Sequence, residues 1–156
     1  MARARKVDLD CQEPFAQAAA RVIETRADEV FEHARGVLDL GEIERVHDMR
    51  VATRRLRAAM EVFEPCFPPK RHRKALKRVK ALADALGERR DRDVAIEFLA
   101  GLADELAEAD RGALSALIES LCEEQRAANE ELARFVTSKR LRKLRRRLDK
   151  LVKATA

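Results

Sequence analysis

His47-Asp-Met-Arg-Val-Ala-Thr-Arg-Arg-Leu-Arg57 decides how this chain is read. Its apolar residues Met49, Ala52 and Leu56 recur at spacings of three and four, and Ala59 and Phe63 continue the series. That periodicity belongs to one face of an α-helix. Beside it, His47, Arg50, Arg54 and Arg57 follow one another at three, four and three residues. At roughly 100° per residue these four side chains fall within a narrow arc along the edge of the apolar stripe. A helix of this kind must bury its stripe against other helices. Its aligned cations form a rail, a geometry suited to a polyanion.

Working outward, the breakers fall where a helical array needs turns. Pro14 sits in the first turn of a helix expected to reach about Leu40, with Gly36 and Gly41 weakening its end. A second helix is expected over about Glu42 to Glu64. It stops at Pro65-Cys-Phe-Pro-Pro69, because proline lacks the helical donor and restricts the residue before it. A third runs from about Lys70 to Leu86 and ends at Gly87. Asp91 or Asp93 is placed to cap a fourth, over about Asp91 to Ala109. A fifth spans Gly112 to about Val136. Thr137 or Ser138 then caps a sixth, which carries Leu141, Leu144, Leu148, Leu151 and Val152 on one side. No stretch alternates as a strand would, so the expected fold is all-α: an antiparallel bundle of about six helices over residues 14–156, behind a flexible arm, 1–13.

Composition agrees. The 156 residues include five Gly, four Pro and no Trp or Tyr, a mixture that favours helices. The net charge is only +5, but it is unevenly spread. Glu97 to Glu131 holds ten acidic side chains and two basic ones, whereas Lys139 to Lys153 holds nine basic side chains and only Asp149 as an acid. Blocks this separated produce strong local fields. Cys11, Cys66 and Cys122 are odd in number and widely spaced, which points to a reducing compartment, and Cys122 reads as core packing. No membrane-span-length apolar run or signal peptide is visible, so a cytoplasmic protein is expected.

The third helix carries a second cationic arc, Lys70, Arg73, Lys77 and Lys80, and the sixth adds Arg142, Arg146, Lys150 and Lys153. Cationic helix faces are commonly just solvated. Here few acids stand at ion-pairing spacings in the second and third helices, and Arg grips phosphate through paired hydrogen bonds. Both features favour an anionic partner. His33 reads as a surface residue and His72 as a buried one. The chain lacks a phosphate-binding glycine loop, a nucleophile elbow and a His-Glu-x-x-His zinc motif. Its histidines lack evident carboxylate or cysteine partners. No enzyme, metal or cofactor is expected.

The His47–Arg57 segment resembles the signature of the CHAD family, the conserved histidine α-helical domain. Leu82-Ala-Asp-Ala-Leu-Gly-Glu-Arg-Arg-Asp-Arg-Asp-Val94 resembles that family's second signature, and Ser138-Lys-Arg140 its serine-x-arginine element, with Leu141 where an aromatic is common. The resemblance covers about Phe15 to Val152. It implies a helical fold whose basic groove binds inorganic polyphosphate, in some members on polyphosphate granules. Carried onto this chain, it places His47, Arg50, Arg54, Arg55 and Arg57 in the first signature, Arg90, Asp91 and Asp93 in the second, and Arg140 near the last helix. Family members usually contain two such halves. This chain has one, which leads to the expectation of a homodimer.

The reading is therefore a non-enzymatic polyphosphate binder. Its groove is expected between the second and third helices, with Arg73, Lys77 and Lys80 facing the rail and His47 at its edge. Nucleic-acid binding is the first alternative, although aromatics for base stacking are scarce. A phosphohydrolase or phosphotransfer module is the second.

Overall fold

The computed structural model describes residues 3–103 and 105–155, and these form helices and connecting turns with no strand. There are five α-helices: α1 (Phe15–Glu32), α2 (Ile43–Val62), α3 (Pro69–Leu102), α4 (Glu108–Val136) and α5 (Ser138–Val152). A short 3₁₀ turn, Glu64–Cys66, joins α2 to α3. Successive helices α1 to α4 pack as neighbours, and α5 returns across α1, α3 and α4 to close the bundle.

The all-helical class stands, but the number of helices differs from the expected six. The segments expected as third and fourth helices are one 34-residue helix, α3, about 51 Å long. Gly87 does not end it. A mid-helix glycine costs about 1 kcal/mol relative to alanine, and α4 packing along α3 outweighs that. Asp91 and Asp93 consequently cap nothing: Asp91 is exposed on α3, and Asp93 is buried beneath it.

At the other end, α1 stops at Glu32 rather than near Leu40. Gly36 takes a left-handed φ of 72°, and a Cβ there would approach the Arg45 guanidinium at 3.0 Å. The chain turns at that point so that Val37 can enter the core. Residues of the N-terminal arm lie on α1: Arg26 donates to the Arg5 carbonyl at 3.0 Å, and Arg21 to that of Asp8 at 2.7 Å.

The core is built from the stripes read in the sequence. Met49, Ala52, Leu56 and Met60 of α2 meet Val79, Leu82 and Leu86 of α3, with Ile23 and Val30 from α1 and Leu144, Leu148 and Leu151 from α5. His72 belongs to this core. It is fully buried, its Nε2–H donates to the Met60 carbonyl at 2.8 Å, and Phe67 stacks on its ring. Cys122, read as core packing, is only half-buried, and all three cysteines are free. Among the described residues, no helix is long and apolar enough to cross a membrane.

Candidate functional site

The rail forms as its spacing implied. Arg50, Arg54 and Arg57 line an open groove between α2 and α3, opposite Ala83, Asp84, Gly87, Glu88 and Asp91. What faces the arginines is therefore acidic: three guanidiniums share the groove with three carboxylates. Arg50, Arg54, Asp84 and Asp91 make no ion pair among the described residues, whereas Arg57 pairs with Glu61 at 3.1 Å and Glu88 with Arg92 at 2.5 Å.

Arg73, Lys77 and Lys80, expected to face the rail, are not among the residues that line this groove. Arg73 and Lys77 are exposed on α3. Lys80 reaches the same Glu61 carboxylate at 3.0 Å, so that one acid ties α2 to α3. The Lys80 ammonium, and after it the Arg57 guanidinium, hold the Glu61 carboxyl below its ordinary value through hydrogen bonds.

Arg90 serves as a link between helices. Its guanidinium reaches the Ile43 carbonyl at 3.4 Å and Glu44 at 3.3 Å, anchoring the first turn of α2. Arg55 is half-buried on α2 and does not line the rail groove. His47 stands beside Glu44 and Asp48, with ligand-type atoms of the three within 4.8 Å of one another. The histidines were expected to lack carboxylate partners, and this neighbourhood corrects that for His47: the Glu44 to His47 spacing of three is the signal that could have shown it. Two carboxylates beside the imidazole make the head of the rail less cationic than the segment alone suggests.

A second surface concentrates positive charge far more strongly. Along the α3–α5 junction, Arg71, Lys74, Arg147, Lys150 and Lys153 line an open groove of about 480 Å³. Next to it, a groove of about 300 Å³ is lined by Arg78, Arg134, Arg140, Lys143 and Arg147 over an apolar floor of Leu82, Phe135 and Leu144. Arg147 belongs to both. Among the described residues, the only carboxylate on these walls is Glu131, which pairs with Arg134 at 3.1 Å. The other eight cations have no carboxylate partner among the described residues.

Local structure explains this concentration. Thr137 breaks the chain between α4 and α5 with an extended backbone, and its hydroxyl accepts from the Arg140 amide at 3.3 Å, as the capping argument expected. From that cap, Leu144, Leu148 and Leu151 turn into the core. Their burial aims Lys143, Arg147 and Lys150 at α3. Arg145 leaves on the other flank, where it pairs with Asp28 at 2.8 Å and lies 4.4 Å above the Phe31 ring. Arg140, Lys143, Arg147 and Lys150 repeat the rail's spacing of three, four and three, as Arg71, Lys74 and Arg78 do in part on α3. Of the expected site residues, Arg140 alone lies in this channel. Of the arc expected on this helix, Lys150 and Lys153 line the channel and Arg142 and Arg146 do not, while Lys143 and Arg147 are functional candidates that the sequence reading missed.

Beneath the α3 signature lies a buried polar layer. Arg89 is fully buried and pairs with Asp93 one turn along α3, and Gln125 of α4 donates to the other Asp93 oxygen at 2.6 Å. The carboxylate is thus satisfied from both helices. It locks the α3–α4 register and is not accessible to a ligand.

No curated protein matches the chain. A family model described as CHAD domain matches residues 21–156, which takes in the rail, the second signature and the whole of the α3–α5 channel. The chain belongs to the CHAD domain family.

Proposed function

We propose that this protein binds inorganic polyphosphate without transforming it, and that the polymer lies in the α3–α5 channel. Family membership supports the ligand class, since the resemblance implies polyphosphate binding. The single observation that carries the location is the charge balance of the two grooves. The rail sets Arg50, Arg54 and Arg57 against Asp84, Asp91 and a Glu88 already paired with Arg92, whereas the channel presents eight unpaired cations and one already neutralised acid.

Electrostatics decides between them. At 4 Å, two unit charges near a protein surface interact by about 4 kcal/mol at an effective dielectric of 20. Each carboxylate on a groove wall therefore offsets much of what one arginine offers a phosphate. Charge-assisted hydrogen bonds contribute about 1.5–3 kcal/mol each, so four or five of the channel's cations suffice for tight binding. From Arg140 to Lys153 the channel follows α5 for about 20 Å. An extended chain bearing a charge on every unit suits a track of that length better than a single phosphate does.

A fluorescence titration with long-chain polyphosphate tests this reading, with duplex DNA as competitor and a phosphate-release assay in parallel. Saturable binding that equal charge concentrations of DNA fail to displace, with no phosphate released, is the expected result. Displacement by DNA at equal charge would make the protein a nucleic-acid binder. Phosphate release would make it a hydrolase.

A further inference from the structure

The two grooves of the α3–α5 channel differ in kind. The one toward the end of α5 is lined by Arg71, Lys74, Arg147, Lys150 and Lys153, all of them cations. The one beside the start of α5 has an apolar floor of Leu82, Phe135 and Leu144 beneath its cationic rim. Leu82 and Leu144 belong to the core, and Phe135 packs half-buried against it.

Two features of this floored pocket work against a bare phosphate chain. An apolar floor offers a phosphate no hydrogen bond, and pressing an anion against it strips water without compensation. Glu131 stands on the wall with its side chain 59% exposed, so its charge is only partly offset by Arg134. Both features favour a nucleobase. A flat aromatic base gains by covering a ring such as Phe135. Its polar edge carries N–H donors, for which a carboxylate is the acceptor. The volume of about 300 Å³ is at the lower end of small-molecule sites and suits one base.

Proportion decides which amphiphilic anion fits. A lipid has a long apolar body and a small charged head. Here one short apolar pocket adjoins a wholly cationic groove, and Arg147 lines both. The complementary molecule has a short apolar head and a row of phosphates behind it.

We propose that the Leu82–Phe135–Leu144 pocket is a nucleobase subsite, through which the channel takes nucleoside 5′-triphosphates such as ATP. The base covers Phe135, Glu131 accepts from its N–H edge, and the triphosphate passes Arg147 toward Lys150. The inference rests on the reading of the channel as a phosphate site and adds a second ligand class to it.

Calorimetric titration of the full chain with ATP and with inorganic tripolyphosphate, in metal-free buffer, tests it. Tripolyphosphate carries at least as much negative charge, so electrostatics alone favours it. ATP is nevertheless expected to bind about tenfold more tightly, the order that stacking of one base supplies. Phe135→Leu keeps an apolar floor and removes the ring. It is expected to abolish the preference and leave tripolyphosphate binding unchanged. Glu131→Lys, at an exposed position, is expected to strengthen tripolyphosphate binding and narrow the preference. A wild-type chain that binds ATP no more tightly than tripolyphosphate overturns the proposal, as does an undiminished preference in Phe135→Leu. Should Phe135→Leu lose its helicity, an undiminished preference in Glu131→Lys overturns it equally. Tight binding of long-chain polyphosphate without any ATP preference overturns the subsite and leaves the polyphosphate assignment standing. An ATP preference that long-chain polyphosphate cannot compete away keeps the subsite and overturns that assignment.

Discussion

Gln125 of α4 donates to the Asp93 carboxylate of α3 at 2.6 Å, in the layer where Asp93 also takes the buried Arg89. Removing the acid alone leaves a guanidinium buried without its counter-charge. Asp93→Ala is expected to destabilise the fold by about 3–5 kcal/mol. Replacing Arg89 and Asp93 together with Met and Leu is expected to restore most of that loss. Urea unfolding of both variants and of each single change, analysed as a double-mutant cycle, checks it.

His72 joins the end of α2 to the start of α3 through the Met60 carbonyl, stacked beneath Phe67. His72→Ala removes both the hydrogen bond and the ring. The expected cost is on the order of 2–4 kcal/mol, visible as a lowered urea midpoint. Because His72 lies in the core, the loss should appear in stability at every salt concentration and not in the salt dependence of polyphosphate binding.

Glu61 ties Lys80 to Arg57, and both cations hold its carboxyl below the ordinary value. A depressed folded-state pKa contributes stability above the unfolded value, and this is lost as pH falls through the folded one. The link should therefore weaken only in acid, below the ordinary carboxylate range. Its contribution is small because the pair is exposed and screened by salt. Comparing urea midpoints of wild type and Glu61→Gln at neutral and acid pH tests it: the difference should shrink as pH falls.

Binding to a polyanion releases counterions, so affinity should fall steeply with salt. Each channel cation removed should lower the log–log slope by about 0.7–0.9 if it touches a phosphate. Titrating Lys143→Ala and Arg142→Ala at several salt concentrations separates the two faces of α5. Lys143 lines the channel and should change the slope, whereas Arg142 does not line it and should leave the slope unchanged.

The helical class was legible because Met49, Ala52 and Leu56 fix one buried face whatever surrounds it. The break at Gly87 was misread because local propensity favours a stop there, and the α4 packing that overrides it is a long-range effect. The cationic helix faces were legible in the sequence, but which of them meets a neighbouring helix was not. Cationic rows at spacings of three and four occur on both flanks of α3, and the sequence reading chose Arg73, Lys77 and Lys80. Which flank meets α5 depends on how Leu144, Leu148 and Leu151 dock, a tertiary fact. The carboxylates opposite the rail were equally hidden, because Asp84, Glu88 and Asp91 lie 27 to 41 residues along the chain from Arg50, Arg54 and Arg57.

The central claim is that the α3–α5 channel holds the phosphate chain, and one comparison tests it most directly. Polyphosphate affinity is measured at fixed salt for Arg147→Ala/Lys150→Ala and for Arg50→Ala/Arg54→Ala. Loss of two charge-assisted contacts should weaken the channel variant by about 3 kcal/mol, on the order of 100-fold, while the rail variant stays within about threefold of wild type, the range left by screened long-range charge. A channel variant with wild-type affinity, or a rail variant that loses more than the channel variant, would contradict the account.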